Sequence, residues 1–189
     1  FLVQVGFYSL RTVDLYLLEM LLSFSDVGFY SAYASFTNVI RLLAYVFPVV
    51  VLPMAAVSSY KIRKSLFRLL VVVIPFSVVV LGLTVLLVPV FYGPEYLGGF
   101  WLSLALVLSS TILLVYSYCS SIFAGENEVG GTYLWVLGFD FVLSLVGNFV
   151  LNYFLILRFG IIGAPIATGI VVLVKVLFLL GAIKWLRIT

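Results

Sequence analysis

Apolar residues in this chain recur in long unbroken runs rather than with the alternation of a half-buried strand or the one-sided stripe of a soluble amphipathic helix. Six runs reach about 20 residues, the length that crosses about 30 Å of hydrocarbon at 1.5 Å per residue. They are Val3–Leu22, Ala34–Val57, Leu69–Phe91, Phe100–Phe123, Tyr133–Leu157 and Ile162–Leu186. Between them lie short segments rich in turn residues: Ser23–Phe29, Ser58–Ser65, Tyr92–Gly99, Gly125–Thr132 and Arg158–Gly160. The pattern predicts an all-α integral membrane protein, a bundle of six transmembrane helices forming one domain over residues 1–189. The runs are too long for the strands of a membrane barrel, and in lipid a helix satisfies its own backbone.

Composition agrees. Of the 189 residues, 65% are hydrophobic and only 9% charged, against roughly a quarter charged in a soluble domain. Histidine is absent and Cys119 is the single cysteine, which excludes imidazole bases and an intrachain disulfide. The net charge of +3 is too small and dispersed for a nucleic-acid partner. The chain opens at Phe1 with neither an initiator Met nor a signal-peptide pattern, which reads as a fragment of a longer protein.

Charge sets the expected orientation. Lys61, Arg63, Lys64 and Arg68 follow the second run, and Lys184 and Arg187 end the sixth, while the opposite side holds only Arg158. The positive-inside rule then puts both termini in the cytoplasm of a cell whose plasma membrane the chain crosses. Trp101, Trp135 and Trp185, with Tyr92, Tyr96 and Tyr133, lie at run ends as an aromatic belt. Pro48, Pro53 and Pro75 interrupt runs, and the second run, with two of them, is expected to kink.

Five ionisable residues fall well inside the runs: Arg11, Asp14, Arg41, Asp140 and Lys175. Each costs about 2.5–3.5 kcal/mol at the bilayer centre, so each is expected to face a partner or water. Arg11 and Asp14, three apart, can neutralise each other. No acid lies within four residues of Arg41 or Lys175, which makes both candidates for a hydrated cavity. In the fifth run Asp140, Ser144, Asn148 and Asn152 recur every fourth residue. Such a stripe drifts by about 40° per step and stays within about one third of the helix circumference. It either joins helices through hydrogen bonds or supplies hard oxygen ligands to a cation. The small residues and Pro165 between Gly160 and Gly169 let the sixth run approach the fifth, with Thr168 expected to face Asn152.

The segment Asn148–Thr168 resembles the N-x-x-L-N-x-x-L-I-x-x-x-G-x-x-G-A-x-I-A-T pattern of the polysaccharide and oligosaccharide flippases, in the multidrug/oligosaccharidyl-lipid/polysaccharide exporter superfamily. V-D-L-Y-L-L (Val13–Leu18), D-V-G-F-Y-S-A-Y-A (Asp26–Ala34) and Y-G-P-E-Y (Tyr92–Tyr96) agree with that family in order. The resemblance implies the C-terminal lobe of a twelve-helix flippase, facing an N-terminal lobe of the same protein across a central cavity. It implies export of a lipid-linked saccharide by alternating access, not bond-making catalysis, with membrane lipids as the other partner. Arg11, Arg41 and Lys175 are then the expected contacts for the (pyro)phosphate of the substrate. By likeness to lipid II flippases, Asp14, Asn148, Asn152, Ala164 through its carbonyl, and Thr168 match a sodium site. Where those proteins tend to carry a second acid this chain has Asn152, and Asp140 is the candidate to compensate; Na+ or H+ is the expected coupling ion, and no other cofactor is implied. A drug/cation antiporter of the same superfamily is the principal alternative. An integral-membrane glycosyltransferase would need a larger extramembrane loop, and a non-transporting scaffold would have no use for the interior charges.

Overall fold

The computed structural model describes residues 2–57, 62–126 and 138–186, with side chains described over 12–55, 65–124 and 138–181. Within them the chain forms helices α1 (Leu2–Leu21), α2 (Phe24–Val57), α3 (Ile62–Tyr92), α4 (Phe100–Glu126), α5 (138–159) and α6 (Gly163–Leu186), linked by short 3-10 turns at Pro94–Tyr96 and Gly160–Ile162.

Among the described residues four stretches are long and apolar enough to cross a membrane: Phe24–Ala55, Ser65–Tyr92, Phe100–Ala124 and Gly138–Gly181. The last contains both α5 and α6, separated by the turn at Gly160. All this fits an all-α membrane protein. The distribution of side chains points the same way. Outward positions are held by Phe67, Val72, Leu86, Val90 and Leu177, each more than half exposed, while Asp14, Thr84, Ser110, Asn148 and Asn152 are buried. A chain that turns apolar groups outward and polar ones inward is adapted to a hydrocarbon solvent.

Helix α2 starts ten residues earlier than the hydrophobic run suggests, because Ser23–Phe29 is not a loop. Ser23 Oγ donates to Asp26 Oδ2 at 2.6 Å and accepts from the Asp26 amide at 3.2 Å, and the Ser23 amide points to the same carboxylate at 3.3 Å. This reciprocal cap satisfies free N–H groups of the first turn, so the helix begins at Phe24. Residues 58–61 and 127–132 of the expected loops Ser58–Ser65 and Gly125–Thr132 lie outside the described residues, as does the start of the fifth run at Tyr133; the rest of both loops is helical, with α3 beginning at Ile62 and α4 ending at Glu126.

Helix α4 is the axis of the bundle and packs against α2, α3 and α6. One apolar core joins α2, α3, α4 and α6 around Ile40, Leu114, Ile122 and Val172; a second joins all six helices around Leu17, Leu18, Val88, Leu106 and Ile156. Near the second core Tyr33 donates to the Tyr96 carbonyl, and its ring lies where a Cβ on Gly99 would be, 2.1 Å from that atom.

The α5–α6 hairpin positions the polar groups. Gly160 caps α5 at φ 61, a left-handed value that favours glycine. Gly163 then packs against α5 so closely that a Cβ would meet the Leu155 carbonyl oxygen at 2.2 Å. This is the approach that the small residues of 160–169 predict.

Candidate functional site

Asp14, on α1, is buried to 1% exposure and is met by side chains from two other helices. Asn148 Nδ2 and Asn152 Nδ2 donate to its Oδ1 at 3.0 and 2.9 Å, and Thr168 Oγ1 donates to Oδ2 at 2.8 Å. Thr168 also lies 3.4 Å from Asn148 Oδ1, and Asn152 Nδ2 reaches the Asn148 carbonyl at 2.9 Å. Thr168 therefore meets Asn152 through their shared carboxylate. Ala164, one turn before Thr168, is fully buried at the same end of α6.

Both carboxylate oxygens thus hold neutral donors, as a buried acid requires. One polar atom of the cluster is left over: Asn152 Oδ1 is buried and has no hydrogen-bond partner among the described residues. A half-turn of an Asn amide exchanges its donor for its oxygen. The side chains that satisfy the carboxylate alone through N–H can therefore surround a hard cation with oxygens. With one carboxylate and otherwise neutral oxygens, the donor set suits a monovalent cation. Among the described residues no group of three or more acidic or thiol side chains converges to hold a more highly charged metal.

A second cluster is built on the same helix one turn earlier. Lys175 Nζ on α6 lies 3.0 Å from Asp140 Oδ1, 2.8 Å from Ser144 Oγ, and 4.3 Å from the centre of the Tyr116 ring. Tyr116 on α4 donates its hydroxyl to Asp140, and Ser144 donates to the Asp140 carbonyl at 2.8 Å. This corrects two expectations. Lys175 does not lack an acidic partner, because α6 crosses α5 at Asp140, a pairing 35 residues apart that local spacing does not reveal. Asp140 is drawn to Lys175 and does not join the Asp14 cluster. Tyr116 was missed as a member; its mid-helix position, away from the aromatic belt, is the signal that could have found it.

Arg41, on α2, is 6% exposed and donates from Nε to Ser110 Oγ on α4 at 3.2 Å. Its Nη2 is buried without a hydrogen-bond partner among the described residues. The side chain of Arg11 lies outside the described residues.

The polar stripe of α5 keeps its phase through a π-turn at Leu143–Gly147, where the Asn148 amide reaches back to the Leu143 carbonyl. In a regular helix the path from Asp140 to Asn152 drifts by about 120°; one extra residue taken up in a π-turn removes about 100° of it. Asp140, Ser144, Asn148 and Asn152 consequently share a narrow face, and all four are buried.

No family model, no curated protein and no solved structure matches the chain.

Proposed function

We propose that this chain is a six-helix lobe of a transporter that carries a lipid-linked oligosaccharide or polysaccharide precursor across the plasma membrane by alternating access, coupled to a monovalent cation. In this reading all six helices cross the bilayer, both ends face the cytoplasm, and an N-terminal lobe of the same protein closes the cavity.

The observation that carries the reading is the carboxylate of Asp14, held by three polar side chains in the interior of an apolar bundle. A charge at such depth is costly unless it serves a partner or an ion. Asn152 Oδ1, buried and without a partner among the described residues, supports a cation ligand at this place. Asp14, Asn148, Asn152, Thr168 and the Ala164 carbonyl would hold Na+; the ion would supply the positive charge that the carboxylate lacks.

For the substrate, the Arg41 N–H left without a partner among the described residues supports a contact to a phosphate oxygen, since a guanidinium holds such groups through paired donors. Arg11 remains a second candidate. Lys175, neutralised by Asp140, is not assigned to the substrate. That pairing favours retaining a drug/cation antiporter as the second reading, because Arg41 and Lys175 now stand against Asp14 and Asp140 and the described interior has no excess of positive charge.

The test is complementation. In cells lacking the full-length protein, the wild type restores surface polysaccharide, whereas Asp14→Asn and Arg41→Ala at equal protein level do not. Normal export by both variants overturns the reading, and loss of dye or drug efflux instead of glycan export selects the antiporter.

A further inference from the structure

The two polar clusters are successive turns of one helix, and the π-turn lies between them. Asp140, before it, and Ser144, at its second position, bind Lys175; Asn148 and Asn152, after it, bind Asp14. A π-turn stores an extra residue that a helix can release by slipping into regular α geometry, which rotates one side against the other by about 100°. Here such a slip parts either Asn148 and Asn152 from Asp14 or Asp140 and Ser144 from Lys175.

We propose that the Asp140–Lys175 ion pair is a register lock: by holding the π-turn at residues 143–147 it positions Asn148 and Asn152 on Asp14, a cluster it does not touch. Lys175 and Asp140 are positioning residues. Tyr116 and Ser144 hold the pair in place, the former from α4 and the latter from within the π-turn itself. Val146, within the π-turn and more than half exposed, is the residue whose removal leaves a regular helix with the same phase on both sides.

The experiment uses the full-length protein in detergent. Asp140→Asn/Lys175→Met removes the lock without stranding a charge, and hydrogen exchange is followed over residues 140–152. Exchange at 143–148 is expected to rise about tenfold, the scale of a typical coupling between sites, and to return to the wild-type rate when Val146 is also deleted. Ser144→Ala, a milder lesion, raises exchange in the same segment should the double variant not fold. Wild-type exchange in both, or failure of the Val146 deletion to restore it, overturns the lock.

The consequence for the ion rests on the cation reading of Asp14 and has its own readout. The apparent sodium affinity, taken from thermal stabilisation, falls about tenfold in the double variant and recovers on deletion of Val146. Absence of any sodium response in the wild type sinks the cation site and leaves the exchange result to judge the lock.

Discussion

Thr168 on α6 and Asp14 on α1, 154 positions apart, are joined by a hydrogen bond of 2.8 Å. Its hydroxyl is the sole donor to Asp14 Oδ2 among the contacts described above, while both asparagines serve Oδ1. Thr168→Val keeps the shape and removes that donor. The buried carboxylate oxygen then lacks a partner, and stability falls by about 1–3 kcal/mol, read as a lower melting temperature of the full-length protein in detergent. Unchanged melting would mean that water or another group replaces the hydroxyl.

Lys175→Met leaves Asp140 charged and unpaired in an apolar interior, which costs roughly 3–5 kcal/mol, whereas loss of both charges in Asp140→Asn/Lys175→Met costs much less. A double-mutant cycle on thermal stability measures the difference. Additive effects of the two substitutions would contradict the ion pair.

Arg41→Lys keeps the charge of Arg41 but removes its fork of donors, and it reaches neither Ser110 nor a phosphate in the same way. Export is expected to fall by about tenfold or more, for a loss of roughly 1.5–3 kcal/mol in charged hydrogen bonding. Surface polysaccharide at equal protein level reports it; wild-type export with Lys would show that position 41 needs charge alone.

Gly163→Val places a branched side chain against the Leu155 carbonyl, at a point where even a Cβ comes within 2.2 Å. The hairpin must open, with a cost of about 1–3 kcal/mol or more from overpacking. Gly181→Ala, where no heavy atom lies within 4 Å of the added Cβ, is the control and should melt like the wild type.

A cysteine replacing Ser59 is expected to resist an impermeant thiol reagent added from outside the cell if the proposed orientation, in which the basic Lys61, Arg63 and Lys64 beside it face the cytoplasm, holds. Cys119 is fully buried and gives no competing signal. Ready labelling would invert the proposed orientation.

Much of this architecture is legible in the sequence because lipid imposes a simple rule on length and polarity. The helices and the small-residue approach of α6 to α5 follow from it, as does the gathering of Asn148, Asn152 and Thr168. The start of α2 was obscured because the Ser23–Asp26 cap is polar and looks like a loop, although S-x-x-D is itself a helix-start signal. The Asp140–Lys175 pair was hidden for a different reason. Partners on separate helices are fixed by where the helices cross, and spacing along one chain segment carries no information about that. The π-turn left no visible mark in a pattern that already repeats every fourth residue.

The tight turn at Gly160–Ile162 also decides which polar side chains are held together. Asn148, Asn152 and Thr168 all belong to one hairpin, and so do Asp140, Ser144 and Lys175. These six side chains stay together in a hairpin that moves as one body, and the polar contacts described above tie it to its neighbours through Asp14 on α1 and Tyr116 on α4, beside the apolar packing of α6 on α4. In the contacts described above, the hairpin's polar hold on α1 rests on the oxygens of a single carboxylate, so one ionisable group faces side chains from both arms of the turn.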